Sequence, residues 1–268
     1  MTVAPNRAIS VIGSGVFAAA LWNVLTWMRG LPSSSGHALV GGLAGAAVVD
    51  HGLAAVRWSG LHGWRPVGVT GVLIALAVSP ALGFGVAFAV ARLGRRMLRR
   101  GTRRLGGPLR GAEWVMSAAL SFSHGANDGQ KAMGVVAALL VASGHLHTFG
   151  VPLWVKVACG ALLTLGTALG GWRIVRTIGR RIFHLDRFDG LASQTASTAI
   201  ILAASYAGAP VSTTHVVASS VVGIGGGRRR WRHVRWAVVR DMSFAWLATL
   251  PASAILAGVS VLVWRSIA

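Results

Sequence analysis

The sequence predicts an all-α polytopic membrane protein: inverted-topology repeats with broken helices or re-entrant hairpins, making about eight apolar crossings. Three observations predict it. Apolar residues make up 54% of the 268 positions and charged residues only 12%, a balance far from that of soluble domains. The Lys and Arg are clustered rather than spread. Two short segments that break the apolar sequence also nearly repeat each other. Pro32-Ser33-Ser34-Ser35-Gly36-His37 is followed eight residues after its His by Gly45, and Pro210-Val211-Ser212-Thr213-Thr214-His215 eight residues after its His by Gly223.

The eight apolar segments are 8–27, 33–49, 67–91, 112–141, 153–171, 191–206, 211–224 and 236–264. A simple span needs about 20 residues. The segments 33–49 and 211–224 fall short, as half-helices or re-entrant hairpins do, and these survive in a bilayer only when packed inside protein. Segment 67–91 contains Ser79-Pro80, which predicts a kink. Segment 112–141 contains His124-Gly125-Ala126-Asn127-Asp128-Gly129 at its centre, which predicts an interruption. Gly41 and Gly45 stand at small-xxx-small spacing, a packing signal.

Of 26 Lys and Arg, eight fall in linker 92–110, five in 173–187 and six in 228–240. This is the pattern of the positive-inside rule, with added attraction to anionic membrane lipid. It excludes nucleic acid as the reason for the formal net charge of +20. With these linkers cytoplasmic, the uncharged linker 143–151 and both chain ends are outside, and the two repeated segments enter from opposite faces. Arg57 and Arg65 fit this topology less well. The expected organisation is a first repeat over 1–91, a linker over 92–110 and a second repeat over 111–268. The location is a bacterial-type plasma (inner) membrane, crossed many times. No cleavable signal peptide is expected, because the first apolar run is long enough to span.

Asp128 is the one acidic residue in the middle of an apolar segment. An ionisable group at that depth is a functional-site candidate by default. Pairing with Lys131, three residues on, is the structural alternative. Asn127 adds an amide, and Gly125 and Gly129 are expected to let the chain leave the helix and expose backbone groups. Ser33, Ser34, Ser35, Ser212, Thr213 and Thr214 stand at helix starts, where each can cap. Six of them in two matched places suggest an oxyanion cradle, since freed N–H groups there attract anions. Asp128 cannot face a dianion without a cation or proton between them, which argues for a symporter. Paired interrupted segments in two halves are the sequence pointer to a transporter's binding site.

The run Phe122-Ser123-His124-Gly125-Ala126-Asn127-Asp128-Gly129-Gln130-Lys131-Ala132-Met133-Gly134 resembles a signature of the inorganic phosphate transporter (PiT) family, as does Gly208-Ala209-Pro210-Val211-Ser212-Thr213-Thr214-His215. Leu31–Leu39, Ser79–Phe84 and Thr249–Ala252 are similar to further segments of that family. The resemblance implies symport of inorganic phosphate with Na⁺ or H⁺, no enzymatic activity and no cofactor. It also implies a midplane site made by both repeats, and a homodimer. Asn127 and Asp128 would serve cation and phosphate, and Ser212, Thr213 and Thr214 would bind phosphate, with Ser33, Ser34 and Ser35 as their first-half counterparts. The family carries two Asn-Asp motifs and this sequence one. The expectation is therefore a first repeat lacking its N-terminal part, with weak or absent uptake by these 268 residues alone. A sulfate permease, and a fragment or subunit that does not transport by itself, are the alternatives.

Other residues carry less. Cys159 has no partner, and His145 and His147 lack a third metal ligand. Asp50, His51 and Glu113 lie at segment ends. Asp186 and Asp189, among Arg residues, are expected to be solvated or paired. Trp58, Trp64, Trp154, Trp172, Trp231 and Trp264 fall where an aromatic belt would place them. The Arg-rich linkers also offer a docking surface for a PhoU-like acidic regulator.

Overall fold

The computed structural model describes residues 5–63, 65–97, 106–209 and 211–267. Pro210, Trp64 and positions 98–105 of the first Arg-rich linker lie outside the described residues. The helices are α1 (Pro5–Met28), α2 (Ser35–His51), α3 (Gly68–Met97), α4 (Gly106–Ala142), α5 (Leu153–Gly170), α6 (Trp172–Arg176), α7 (Arg187–Tyr206), α8 (Thr213–Gly227) and α9 (Trp236–Ile267). A π-helical turn, Thr177–Ile182, follows α6. Among the described residues the strand content is a two-residue antiparallel ladder, β1 (Leu61–His62) with β2 (Arg65–Pro66). Each of the eight predicted apolar segments coincides with a helix. Among the described residues, four helical stretches are long and apolar enough to cross a bilayer by themselves: Arg7–Met28, Gly68–Met97, Leu153–Gly170 and Trp236–Ile267. Trp58, Trp154, Trp172, Trp231 and Trp264 are exposed.

The chain divides into two compact units. The first holds 1–74, 128–170 and 243–268, the second 75–127 and 171–242. In the first, α1 turns at Gly30 (φ 66°) and α2 folds back along it. A Cβ on Gly42 would lie 2.4 Å from the Gly15 carbonyl oxygen, so only glycine permits this approach. α2 then runs alongside the later part of α9. A Cβ on Gly41 would meet the Leu250 oxygen at 2.5 Å, and one on Gly45 the Ala254 oxygen at 2.3 Å. The small-xxx-small pair predicted from sequence is this backbone contact, and Ala18, Ala46, Ala257 and Val261 fill the core beside it.

The second unit uses the same plan. α8 folds back along α7, and Ser193 Oγ and Ser220 Oγ share a hydrogen bond of 2.6 Å where they cross. α8 runs alongside α3: a Cβ on Gly83 would lie 2.5 Å from the Val216 oxygen, and one on Gly223 2.3 Å from the Phe84 oxygen. The core here is Ile200, Ile201 and Val216, with Val86 and Leu120 packed against it. Without a hydrophobic drive between helices in lipid, such close packing and interhelical hydrogen bonds supply the cohesion.

One expectation is corrected. α4 is one continuous helix of 37 residues, with no interruption at 124–129. Two glycines cost only about 1 kcal/mol each in a helix interior. Freeing backbone N–H and C=O groups in an apolar medium costs several kcal/mol per group, so the helix persists. Of the two states expected for Asp189, solvated or paired, the structure shows the paired one: it is fully buried between Arg95 (2.7 Å) and Arg228. Asp186 caps α7 through a reciprocal capping box with Asp189. α3 continues through Pro80 as a single helix.

Two predictions follow from this packing. Gly45→Val should destabilise the protein by about 1–3 kcal/mol through overpacking. Gly125→Ala, where an added Cβ meets nothing within 4 Å, should be neutral or stabilising by up to about 1 kcal/mol; thermal unfolding in detergent reads both. Burial opposes ionisation of Asp186, but the Asp189 backbone N–H, the Arg95 hydrogen bond and the Arg228 charge hold its carboxyl below the usual carboxylate range. A depressed native value means that this stabilisation is complete above the ordinary carboxylate pKa of about 4 and fades as pH falls through the native value. A melting curve against pH should therefore show an acid limb that Asp186→Asn flattens.

Candidate functional site

In the first unit the Ser-rich turn is held at both ends. The Trp246 indole N–H donates to the Pro32 oxygen at 2.7 Å. Ser33 Oγ shares a hydrogen bond with Thr26 Oγ1 (2.7 Å) and donates to Asn23 Oδ1 (3.2 Å), which ties it back to α1. Ser34 is the N-cap of α2: its Oγ accepts from the His37 backbone N–H and contacts the His37 ring Nδ1. Ser35 opens the helix and is exposed. The three serines thus have three different roles, and Ser34 is spent on the helix itself.

The second unit repeats the cap. Ser212 Oγ accepts from the His215 backbone N–H at 3.3 Å, while the Ser212 N–H donates to Ser79 Oγ at 3.3 Å. Thr213 is buried, Thr214 is half-buried and His215 is fully enclosed. His37 and His215, Ser34 and Ser212, Gly15 and Ser193, Gly42 and Ser220 are all separated by the same 178 residues (215 less 37). The matching therefore covers two hairpins, not only two short motifs.

Asn127 and Asp128 are neighbours in α4 with different surroundings. Asn127 is buried in the second unit, and its Nδ2 donates to Ser205 Oγ at 3.0 Å. Its Oδ1 is buried with no hydrogen-bond partner among the described residues, as are Gln194 Oε1 and Thr198 Oγ1 on α7. Asp128, in the first unit, receives a 2.9 Å hydrogen bond from Lys131 Nζ across one helical turn. A Cβ on Gly36 would lie 3.3 Å from Lys131 Cδ and 3.4 Å from its Nζ, so this ammonium stands at the start of α2. Helix N-termini carry partial positive charge. α2 thus presents its N-terminus, a lysine and exposed Ser35 in one place, with the Asp128 carboxylate beside them.

Sequence reasoning weighed Lys131 only as a partner for Asp128 and missed its place at the start of α2. It also missed Ser205, Gln194 and Thr198, polar residues on an apolar helix that a search for intramembrane hydrogen-bonding groups would have found. Among the described residues no group of three His, Cys, Asp or Glu side chains could hold a metal.

Residues 1–105 and 100–257 match the phosphate transporter family. A protein of Rhizobium meliloti named "Probable low-affinity inorganic phosphate transporter" is 38% identical over 248 residues, covering 92% of this chain and 72% of its own length. A Bacillus subtilis protein of the same name is 35% identical over 252 residues, covering 93% and 73%. A solved structure titled "The sodium-dependent phosphate transporter" superposes with a TM-score of 0.82 at 24% identity, covering 99% of this chain and 82% of that one, and so shares the fold. The family match and the relatives named as transporters, with four helices long and apolar enough to cross a bilayer among the described residues, make this a multi-pass membrane protein of a transporter rather than an enzyme family. The chain belongs to the phosphate transporter family, as its two longest motifs implied.

Capping can be tested apart from ligand binding. Ser34→Ala and Ser212→Ala should each cost about 1 kcal/mol of stability, and Ser212→Asp should restore it. Ser35→Ala and Thr214→Ala should leave the melting temperature unchanged.

Proposed function

We propose that this chain is an inorganic phosphate transporter that works by cation-coupled symport and alternating access. The observation that carries the reading is the matched pair of Ser-capped helix starts, one with Lys131 beside it. Backbone N–H groups, hydroxyls and an ammonium are the groups that hold a tetrahedral oxyanion. Membership of the family, and relatives named as inorganic phosphate transporters, support phosphate as that oxyanion over sulfate.

The eight apolar segments form two inverted-topology repeats in this proposal, and the constant spacing between the two hairpins supports it. Ser35, Thr213 and Thr214, with Ser33, Ser34 and Ser212 holding the helix starts, form the phosphate-binding groups. Asp128 and Asn127 serve the coupling cation. The buried, unpartnered Asn127 Oδ1 is a hard oxygen of the kind that Na⁺ selects, and the solved relative is named as sodium-dependent; Na⁺ is accordingly the first candidate and H⁺ the second. Lys131 neutralises Asp128 when no cation is present, which lowers the cost of a carboxylate at that depth. The functional unit is a homodimer, and the Arg-rich linkers receive a PhoU-like regulator; crosslinking in native membranes tests both.

Labelled phosphate uptake into proteoliposomes by the complete transporter is the decisive measurement, with weak or absent uptake expected from these 268 residues alone. An inward Na⁺ gradient at equal pH should drive uptake, and a pH gradient without Na⁺ should not. A tenfold excess of sulfate should leave the rate unchanged. Asp128→Asn should abolish coupled uptake while the protein still folds. Undiminished uptake by that variant would remove Asp128 from the mechanism.

A further inference from the structure

The Arg-rich linkers 173–187 and 228–240 have no part in the transport reading beyond topology and regulator docking, yet within the second unit they fold together. The Arg235 N–H donates to the Ile182 oxygen at 2.9 Å, and Val234 is buried where a Cβ on Gly225 would meet it at 2.7 Å. Arg229 takes a left-handed backbone conformation (φ 57°) that turns the chain sharply after α8. Trp231 stacks on Phe84 and on Trp236, with ring centroids 5.9 and 6.3 Å apart, and it lies over Gly226, where a Cβ would come within 2.6 Å of the indole. The loop is thus a built structure held by aromatic packing.

It borders a cavity of about 320 Å³, open to solvent, lined by Arg180, Arg228, Arg230 and Arg235. His184 and His233 add ring nitrogens to the wall, and among the described residues Asp186 is its only carboxylate. Asp186 and Asp189 are engaged by Arg95 and Arg228. Among the described residues Arg180, Arg230 and Arg235 have no carboxylate partner. The positive-inside rule accounts for the number of arginines in these linkers, but it does not require three uncompensated guanidinium groups to converge on one concavity, where they repel one another.

We propose that this cavity binds a multiply charged phosphate-bearing anion, at a site distinct from the transport site. Guanidinium groups pair with phosphate oxygens through two parallel hydrogen bonds. The volume equals about ten waters at about 30 Å³ each, which is room for more than one phosphoryl group. Arg228 follows the C-terminus of α8 and Ser212 precedes its N-terminus, so about 22 Å of helix separates this cavity from the capped start. The anion is a soluble condensed phosphate or the headgroup of an anionic lipid, since basic segments beside a membrane attract such headgroups. Occupancy would tie linkers 173–187 and 228–240 together and make a cytoplasmic phosphate signal readable by the protein.

The test uses the full chain in phosphatidylcholine nanodiscs, titrated with tripolyphosphate in a calorimeter. Saturable binding is expected for the unaltered protein and equally for Ser212→Ala. The triple variant R180Q/R230Q/R235Q should bind at least tenfold more weakly. In a second arm, nanodiscs containing phosphatidylglycerol are analysed by native mass spectrometry for retained lipid. Tripolyphosphate binding without retained phosphatidylglycerol assigns a soluble ligand. Retention that is lost in the triple variant and blocks tripolyphosphate assigns the lipid headgroup. The proposal is overturned if the triple variant matches the unaltered protein in both arms, or if Ser212→Ala alone abolishes tripolyphosphate binding. Should the triple variant not fold, Arg230→Gln is expected to weaken binding about fivefold, at about 1 kcal/mol per basic residue, and unchanged binding there overturns the proposal as well.

Discussion

The close backbone approach of a short capped helix to a long one is the contact on which the rest depends. α2 lies against α9 at Gly41 and Gly45, and α8 against α3 at Gly83 and Gly223. In each case a side chain on the glycine would collide with a carbonyl oxygen. Dispersion contacts fall off steeply with distance, and in lipid they are a main source of helix association. Helices of 15 and 17 residues are shorter than the roughly 20 of a simple span, and their starts are packed in protein, with Ser34 and Ser212 buried. The glycine contacts anchor each short helix, and anchoring it sets where its N-terminus and its hydroxyl groups stand.

The two units solve one geometric problem with different chemistry. At the crossing of α1 and α2, Gly15 and Gly42 bring backbones together with nothing between them. At the matching crossing of α7 and α8, Ser193 and Ser220 fill the space with a hydrogen bond. Each unit also places a hydroxyl on its long helix that bonds four residues back, Thr249 to Ala245 and Ser79 to Ala75. Thr249 Oγ1 accepts from Trp22 and Ser79 Oγ from the Ser212 N–H, so both connect the long helix to the hairpin. The second of these contacts ties α3 directly to the start of α8.

Charge is used sparingly where the chain is apolar. Asp128 is matched by Lys131 within one helical turn, and α4 stays intact around it. The continuous helix changes what Gly125 and Gly129 mean. They do not free backbone groups: both lie inside the unbroken helix. Under the proposed function, Asn127 and Asp128 act through their side chains, and the backbone donors are those at the starts of α2 and α8.

The sequence alone determined the class of fold, the helical segments, the family and the identity of the motif residues. The fold class and the helical segments follow from local signals: apolar run length, Arg clustering, and a Pro followed by hydroxyls and His at repeated spacing; the family follows from the resemblance of the runs 122–134 and 208–215 to its signatures. It did not reveal that Ser34 and Ser212 are the caps among six similar hydroxyls. That choice depends on which residue takes the extended conformation before the helix, and neighbours such as Ser79, Trp246 and Asn23 decide it from far along the chain. Nor did it reveal the unbroken α4, because local glycine content suggests weakness while the cost of unsatisfied backbone groups in an apolar medium is a property of the surroundings. The positions of Lys131 over Gly36 and of Arg180, Arg230 and Arg235 around one cavity were likewise decided by tertiary structure. Side chains close in space but distant in sequence meet only when the helices that carry them have packed.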